Sequence, residues 1–471
     1  MVIYMKRLII PSLFAFALLL LCLFACDRIN TLSTINSGGT TAGNPTQNAD
    51  REETKETKTD FSWFEMPEET ATLVLYQGDF MLKEAYQKAI RIFEQLYPDV
   101  NVIVEEYSEN EYETVIRAEI PAGKGPDLLF ASVSVLPDIC KTMETGIFED
   151  LNPYIGADDA FSLDNYIAGV MDAGVLHGGR WIMPYSHLAM ILTTTEELLE
   201  EEGITQEDFS SIEAFCAVCA KYREAHPGQH FVDLGFGVSE EQQRVDMFKD
   251  LYTYSGMRFF DYETGEVVVD RDELKQICDL CRMYAHNPKT KETKKITYGG
   301  NSGMWDPLLN RATLFFETTN VGIDFMMVRY SLSKKGETPV TFLLPDDSGS
   351  GCSEIYDYLA IPKAAKNKLN AWRFLKILLS EEIQGDRNGP MMATQPVLLS
   401  AARILAESCG YPDPDLDALA DAMNRIDRAF IFPPVLWTYL RDNMMPYIKD
   451  NKDFDTCFDK LVNVLELYID E

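Results

Sequence analysis

The chain has 471 residues, a formal net charge of −33, and 46% hydrophobic residues, with aromatic residues making up 11% of the chain. This hydrophobic content is typical of a globular protein and excludes a largely disordered chain. A surface this acidic repels nucleic acid and anionic lipid headgroups, so we expect neither as a partner. The acidic residues are spread along the chain, which favours a role of the charge in solubility.

The first 25 residues predict a secretory signal. Lys6 and Arg7 form a basic start, and the apolar run Leu8–Phe24 and the small residue Ala25 follow. The segment Leu23–Cys26 resembles the bacterial lipobox, whose cysteine receives the lipid. Cleavage before Cys26 removes two positive charges and changes the net charge from −33 to −35.

An uncleaved membrane anchor is the alternative interpretation of the same apolar run. Pro11 interrupts the run, and its 17 residues are at the short limit for a membrane span. We therefore expect a lipid anchor, such as palmitate, on Cys26. The mature chain would then lie on the outer face of the cytoplasmic membrane.

Residues 26–70 predict a disordered tether. Asn36–Asp50 consists mostly of Ser, Thr, Gly and Asn, and Arg51–Asp60 is charged, so neither stretch can bury enough apolar surface to fold. The remaining length of about 400 residues exceeds the size at which single cores stop growing. The body is therefore expected to form two lobes.

The folded body begins with alternating strands and helices. Ala71–Tyr76 and Asn101–Glu105 have the composition of strands, and Tyr86–Leu96 has helical spacing and ends before Pro98. A second helix is predicted over Asn110–Glu119. This alternating order predicts an α/β fold with a parallel sheet.

A glycine loop, Gly123–Gly125, precedes a third strand. A phosphate-binding loop instead leaves a strand and opens a helix, so a phosphate site is not predicted here. The segment Gly123–Leu129 reads Gly-Lys-Gly-Pro-Asp-Leu-Leu. It resembles the Gly-x-x-Pro-Asp-hydrophobic signature of the bacterial family 1 extracellular solute-binding proteins, the maltose-binding-protein-like group.

Five further segments resemble the same family in the same order. They are Gly146–Ile155, Gly178–Tyr185, Leu192–Gly203, Phe259–Val267 and Asn370–Leu378. Each motif alone is weak, but six in order behind a lipobox are fairly specific. The sequence departs from the family at Thr193 and Thr194, where Tyr-Asn is usual, and at Glu317 and Thr318, where a polar residue and glycine are usual.

The resemblance implies a two-lobed periplasmic-binding-protein-like fold of type II, with a mixed sheet flanked by helices in each lobe and a cleft between the lobes. We expect residues 71–184 and 340–388 in lobe 1, and residues 185–339 and 389–471 in lobe 2. The crossings are predicted near Pro184, Asp346–Gly351 and Gly389. The C-terminal part is predicted to be helical over Leu416–Ala429, Pro433–Tyr447 and Phe454–Tyr468.

Two cysteine pairs have the spacing of half a zinc site each, Cys216 with Cys219 and Cys278 with Cys281. Both pairs lie on the apolar stripes of predicted helices, and a buried cysteine behaves as a small hydrophobic residue. We therefore expect core packing and no metal site. An even number of cysteines in an exported chain also permits disulfides.

The sequence has no positive sign of catalysis. His226 and His230 have the spacing of a metal pair, but Pro227 and Gly228 between them prevent a helix from presenting both on one face. The many carboxylates make any single pair uninformative for glycoside hydrolysis. Neither an enzymatic activity nor a cofactor is predicted.

A sugar site needs polar groups and aromatic platforms on loops that follow strands. Trp305 in a glycine-rich loop is the best aromatic candidate, and Trp437 is equally consistent with a cleft wall and a helix cap. Glu317 is a candidate for sugar hydroxyls or for a cationic ligand. The complete set of predicted ligand-binding residues is Gln77, Asp79, Ser132, Tyr185, Ser186, Trp305, Asp306, Glu317 and Trp437.

The leading hypothesis is a monomeric, lipid-anchored protein that captures a sugar or oligosaccharide by cleft closure and delivers it to ABC permease subunits. The same fold also serves sensor modules that pass a ligand signal to a membrane protein. A surface glycoside hydrolase is a third possibility.

Overall fold

The computed structural model describes residues 61–78, 82–227, 229–233, 240–285, 308, 311, 313–319, 323–345, 350–386, 389, 394–401, 403–404, 407, 417, 423, 425–450 and 452–470. These residues belong to one compact unit, Asp60–Glu471. Asp79, Trp305, Asp306 and Cys26 lie outside the described residues.

The elements alternate from the start of the body, as predicted. Up to Leu188 they are β1 Thr72–Gln77, α1 Lys83–Leu96, β2 Asn101–Glu106, α2 Glu109–Glu119, β3 Leu129–Ser132, α3 Ile139–Glu144, α4 Asn152–Ala157, α5 Ala168–Asp172, β4 Val175–Leu176, β5 Gly179–Arg180 and β6 Met183–Leu188. From Ile191 to Lys334 they are β7 Ile191–Thr195, α6 Glu196–Glu202, α7 Ile212–Ala225, β8 His230–Asp233, α8 Glu240–Tyr254, β9 Phe260–Asp261, β10 Glu266–Val267, α9 Arg271–Ala285, β11 Thr313–Thr318 and α10 Ile323–Lys334. The remaining elements are β12 Pro339–Leu343, β13 Gly351–Ala360, α11 Lys368–Leu378, α12 Glu381–Gln384, β14 Gln395–Pro396, β15 Ile426–Phe430, α13 Pro434–Asp450 and α14 Phe454–Asp470.

Two hydrophobic cores define two lobes. The first core contains residues of β1, α1, β3, β6 and α11, and the second contains residues of β7, α7, α8, α9, β11, α13 and α14. We call the elements that pack on these cores the first and the second lobe. The two-lobed α/β fold predicted from the sequence is confirmed.

Each lobe contains strand pairs of both directions. In the first lobe β1 pairs with β2 in parallel, and β13 lies between antiparallel β6 and parallel β15 and also pairs with β3. In the second lobe the strand order is β12-β7-β11-β8, in which β11 pairs in parallel with β8 and antiparallel with β7. A mixed sheet in each lobe agrees with the prediction.

At two places, residues adjacent in sequence pack in different cores. Ile191 packs in the first core and Leu192 in the second, and the same change of core occurs between Leu343 and Leu344. Val397 also packs in the first core, whereas the predicted lobe ranges assign residues from 389 onward to lobe 2.

Most predicted helices form, but the one predicted over Leu416–Ala429 is wrong in its last part. Ile426–Phe430 is strand β15, which pairs with the start of β13. Leu416 and most of its following residues lie outside the described part of the chain. The apolar spacing of Leu416–Ala429 is compatible with a helix. The segment Ile426–Phe430 forms a strand instead because its backbone groups make hydrogen bonds to one side of β13.

Asp127, from the predicted Pro-Asp motif, ties three segments of the first lobe together. Its side chain is 4% exposed and accepts hydrogen bonds from the backbone nitrogens of Val74 (2.8 Å), Lys366 (3.0 Å) and Asn367 (3.1 Å). The Asn367 amide donates a further bond of 2.5 Å to it. One carboxylate therefore joins β1, the entrance to β3 and the N-terminus of α11.

Gly169 allows α5 to approach β15 closely. A Cβ atom at this position would lie 2.1 Å from the carbonyl oxygen of Asp427, which belongs to the backbone and cannot move aside by changing rotamer. We expect Gly169→Ala to lower the free energy of unfolding by about 1–3 kcal/mol, as overpacking does in well-packed interiors. Urea denaturation checks this. A matched Gly146→Ala variant has no atom within 4 Å of the new Cβ, so it reports only the strain of its positive φ; equal losses in both variants would contradict the steric explanation.

Candidate functional site

A small pocket opens at the ends of β1 and β3 in the first lobe. It has a volume of about 110 Å³, and its lining includes Gly78, Tyr112, Ser132, Ser134 and Asp357. The hydroxyl oxygens of Ser132 and Ser134 lie 2.7 Å apart and share a hydrogen bond. The Tyr112 hydroxyl donates to the carbonyl oxygen of Phe130 at 2.5 Å, which fixes the ring at the pocket wall. Hydroxyl groups and a carboxylate therefore converge beside an aromatic ring.

Local sequence explains why these groups meet. Strands β1 and β3 run side by side, with a parallel bridge between Leu75 and Leu128, so the residues that follow both strands lie at the same edge. Asp357 belongs to β13 and lies directly opposite Ser132 in the antiparallel register. A carboxylate within the otherwise apolar strand Ile355–Ala360 was the available signal for this position, and sequence reasoning missed it, together with Ser134 and Tyr112.

Gln77 ends β1 next to this pocket and is 9% exposed. Ser132 lines the pocket, which places the two predicted first-lobe residues at one edge of the sheet. Asp79 was predicted at the same edge and lies outside the described residues. The roles of these residues in ligand binding stay predictions.

Tyr185 and Ser186 lie on β6 and are both fully buried. Ser186 donates a hydrogen bond of 2.6 Å to Asp357 Oδ2 and accepts one of 3.2 Å from the Asp357 backbone nitrogen. The Tyr185 ring packs on Phe130 with the ring centroids 4.7 Å apart. Both residues thus support the pocket wall from behind in this structure. Direct contact with a ligand stays a prediction for each.

The predicted residues of the second lobe lie on two different elements. Glu317 is on β11, opposite Leu192 of β7, and is partly buried. Trp437 lies in the first turn of α13, with its ring centroid 5.8 Å from that of Phe248 on α8, and is also partly buried. The other two predicted residues of this region, Trp305 and Asp306, lie outside the described part of the chain.

A group of carboxylates surrounds the start of β13. Glu354 is 8% exposed, and burial raises its pKa to about 7, although Lys249 and a hydrogen bond with Tyr254 favour its charged form. Burial also raises the pKa of Asp250 on α8; Lys249 limits the rise, and the carboxylates of Asp246 and Glu354 add to it. Glu317 acts electrostatically on Tyr254 as well. Of this group, only Glu317 was predicted from the sequence.

His187 lies on β6, where the chain passes between the lobes, and its imidazole is neutral at pH 7. It is fully buried, and burial lowers its pKa to about 3. Its Nδ1 atom lies 2.6 Å from the Ser353 hydroxyl oxygen, and that hydroxyl donates to the carbonyl oxygen of Leu188 at 2.8 Å. Nδ1 and the Ser353 hydroxyl therefore share one hydrogen bond. This bond joins β6 to β13 where the chain passes between the lobes.

The four cysteines of the paired motifs all pack in the second core, as predicted. They are Cys216, Cys219, Cys278 and Cys281, and each is free. Among the residues that the structure describes, no group of His, Cys, Asp and Glu is arranged to hold a metal ion. No helix in the same described ranges is long and apolar enough to cross a membrane.

Several solved structures with this fold are bacterial proteins named for sugar binding or sugar transport. The sugar-binding protein MalE of Xanthomonas citri has a TM-score of 0.63 and 17% identity, over 84% of this chain and 97% of that protein. The cyclic α-maltosyl-1,6-maltose binding protein of Arthrobacter globiformis has a TM-score of 0.57 and 14% identity, over 84% and 98%. A Rhizobium etli sugar transporter in an open conformation has a TM-score of 0.56 and 14% identity, over 84% and 99%.

At these identities the structural likeness establishes the fold alone. No curated protein matches the sequence. The family profile of the bacterial extracellular solute-binding proteins, however, matches residues 78–385, which is more than half of the chain. The match includes the Pro-Asp motif, the described pocket residues of the first lobe and the first two predicted crossings. On this evidence the chain belongs to the bacterial extracellular solute-binding protein family.

Proposed function

We propose that the protein captures a carbohydrate for an ABC importer, while a lipid on Cys26 holds it at the outer face of the cytoplasmic membrane. The observation that carries the proposal is the first-lobe pocket, where Ser132, Ser134 and Asp357 converge beside Tyr112 in a chain of the solute-binding family. Hydroxyl and carboxylate groups bond sugar hydroxyls, and an aromatic ring packs on the C–H face of a sugar. The structural neighbours named for sugar binding support the same ligand class.

The second lobe supplies the opposing wall in this proposal. Glu317 and Trp437 provide a carboxylate and an aromatic platform there, and Gln77 and Asp79 complete the first-lobe wall. Tyr185 and Ser186 hold the crossing strand, and Trp305 and Asp306 extend the second wall. The lobes are proposed to span residues 71–184 with 340–388 and residues 185–339 with 389–471, except that the final crossing is moved to after β15, because β14 and β15 pair with strands of the first lobe. We propose a monomer without enzymatic activity that meets permease subunits after closure.

Isothermal titration calorimetry against maltose-based and mannose-based oligosaccharides tests the ligand class. We expect at least one of them to bind with a dissociation constant of micromolar order or tighter, which corresponds to about 8 kcal/mol. Absence of heat with every glycan, for a protein with a cooperative thermal transition, would exclude the carbohydrate proposal.

Ser132→Ala tests the pocket itself. This variant loses one hydroxyl that bonds the sugar. Its dissociation constant for the glycan identified by calorimetry is expected to rise about three- to tenfold, since a net hydrogen bond contributes about 0.5–1.5 kcal/mol. Ser210→Ala is the matched control, because the Ser210 hydroxyl donates only to the Glu207 carbonyl oxygen, on the surface of the second lobe. If the two variants bind the glycan with equal affinity, Ser132 does not contact the ligand.

Cys26→Ala tests the anchor separately. We expect this variant to incorporate no labelled palmitate in cells and to bind the glycan with unchanged affinity, because the described residues that line the pocket begin at Gly78. If the variant incorporates as much labelled palmitate as the wild type, the lipid is attached to a residue other than Cys26. Reduced affinity would mean that the tether contributes to the site.

A further inference from the structure

The first-lobe pocket is lined by hydrogen-bond acceptors of one charge sign. The ionisable groups among its described lining residues include the carboxylates of Glu109, Glu113 and Asp357, and none of these residues is Lys, Arg or His. We propose that the pocket selects a ligand that carries a protonated amino group, such as an amino sugar. The inference rests on the proposed function, because it concerns the same pocket and names the kind of glycan that fits it.

Hydrogen bonds within the protein already use several donors at the pocket. The Tyr112 hydroxyl donates to the Phe130 carbonyl oxygen at 2.5 Å. The Val135 backbone N–H donates to the Ser132 carbonyl oxygen at 3.0 Å. The hydroxyls of Ser132 and Ser134 share one bond of 2.7 Å, so this pair offers a ligand one hydrogen and several lone pairs. The pocket therefore presents more acceptors than donors.

Asp357 supplies the most deeply buried of the three carboxylates. The residue is 3% exposed, whereas Glu109 is exposed and Glu113 is half-buried. The Oδ2 atom of Asp357 accepts a hydrogen bond of 2.6 Å from the Ser186 hydroxyl, which itself accepts the Asp357 backbone N–H at 3.2 Å. An ionised carboxylate can only accept, so a ligand atom that bonds Asp357 has to be a donor.

Arg117 balances only part of the negative charge at the pocket. Its guanidinium forms an ion pair with Glu113 and donates to the carbonyl oxygens of Ser134 at 3.1 Å and Val135 at 2.6 Å. Three carboxylates and one guanidinium leave two negative charges beside the pocket. This charge attracts a cationic ligand group more strongly than a neutral one.

An anionic sugar does not fit this arrangement. The N-terminus of α2 would by itself favour an anion. The capping box of this helix, however, uses Ser108 and Glu111, and the Glu111 carboxylate accepts the Ser108 backbone N–H at 3.1 Å. Glu109 and Glu113 of the same helix line the pocket, so a uronate or a sugar phosphate would meet like charges there.

A protonated amino group complements these atoms better than a sugar hydroxyl does. It has three donors, no acceptor and a positive charge, whereas a hydroxyl has one donor and two lone pairs. Hydrogen bonds between charged groups are about twice as strong as neutral ones. The aromatic ring of Tyr112 adds attraction for a cation.

The size of the pocket limits what enters it. Its volume of about 110 Å³ is below the range of about 300–1,000 Å³ that is usual for a complete ligand site. One wall is fixed, because Gly78 packs so closely on Tyr112 that a Cβ atom at Gly78 would lie 2.3 Å from the Tyr112 Cβ atom. The pocket therefore takes the amino-bearing edge of one sugar ring, and the rest of the glycan lies outside it.

Calorimetry on matched pairs of glycans tests the inference. Cellotriose and the β-1,4-linked trimer of glucosamine differ only in a hydroxyl or an amino group at C2 of each ring. Maltotriose and its 6-amino-6-deoxy derivative form a second pair, and putrescine is an amine without a sugar. We expect the aminated member of at least one pair to bind about tenfold tighter or more than its neutral partner, because it gains a charge-assisted hydrogen bond.

Variants of the pocket show whether Asp357 causes this preference. Asp357→Asn keeps the shape of the side chain but removes the charge, so the ratio of the two dissociation constants should fall to about threefold or less. Glu109→Gln removes a charge from the exposed rim without a change in the interior and should also lower the ratio. Asp158→Asn is the matched control, because Asp158 is a first-lobe carboxylate that pairs with Lys376 and accepts the Trp372 Nε1–H at 2.8 Å, outside the pocket lining. Its ratio should equal that of the wild type.

The outcomes separate this inference from the proposed function. Neutral glycans that bind as tightly as their aminated partners in both pairs would overturn the inference and leave carbohydrate capture supported. A ratio that neither pocket variant lowers would overturn the assignment of the preference to this pocket. Binding of putrescine without heat from any glycan would support selection of an amine and contradict carbohydrate capture. Absence of heat from every compound would overturn both.

Discussion

Replacing Asp127 by alanine is expected to lower the free energy of unfolding of the first lobe by about 3–5 kcal/mol. The change removes the acceptor for four donors from two segments and leaves three backbone N–H groups without their partner in a buried place. Burial of a polar group without a partner costs its full desolvation free energy. Urea denaturation followed by tryptophan fluorescence measures the loss, since Trp372 lies in the same core.

Two variants separate this effect from a general loss of charge. Asp127→Asn keeps one acceptor oxygen and is expected to lose less stability than Asp127→Ala. Asp159→Ala removes an equal charge from an exposed position of the same lobe and should stay within about 0.5 kcal/mol of the wild type. A loss of less than about 1 kcal/mol in Asp127→Ala would contradict the structural role of the motif.

The stability of the protein is expected to fall as the pH rises from 5 to 8, because of the buried carboxyl groups of Glu354 and Asp250. Burial raises the pKa of Glu354 to about 7, above the usual value near 4.5. A raised pKa means that the native state holds its proton where the unfolded state has lost it. The stabilising contribution is complete below about pH 4.5 and is lost as the pH rises through 7, by up to about 3 kcal/mol for this residue.

Glu354→Gln should remove much of this decline, since glutamine fills the same space without a charge. The remaining slope belongs to Asp250, whose pKa is also raised by burial. His187 has the opposite effect: its pKa of about 3 makes its contribution complete above about pH 6.5 and lost as the pH falls toward 3. Urea denaturation at intervals from pH 4 to 8 measures both slopes. A wild type whose stability rises steadily from pH 5 to 8 would contradict the burial of the pair.

The Pro-Asp motif shows how local patterns lead to a fold. Gly123–Leu129 predicts a buried strand and resembles a known family, and both conclusions hold in the structure. The sequence could not reveal that Asp127 bonds Lys366 and Asn367, which follow it by more than 200 residues. Such contacts depend on where two distant segments come together, and a single sequence does not contain that information.

The candidate site also contains residues that the sequence predicts and residues that it does not. Ser132 is identifiable because it follows an apolar strand, and the ends of neighbouring parallel strands share an edge. Asp357 is missed because its position opposite Ser132 depends on antiparallel pairing of β3 with β13. The helix predicted through Ala429 fails for a related reason, since β15 forms by pairing with β13.

Local sequence patterns predict the alternation of strands and helices, the need for two cores, the packing of the paired cysteines and the family. These features depend on local apolar spacing, chain length and short motifs, which are properties of neighbouring residues. The tertiary structure is needed to establish which carboxylates become buried and which side chains share the first-lobe pocket. Glu354 is more than 100 residues from Asp250, and Asp357 is more than 200 residues from Ser132. The raised pKa values of the two buried carboxyl groups come from their burial, and the meeting of the two pocket side chains comes from the register of the strands.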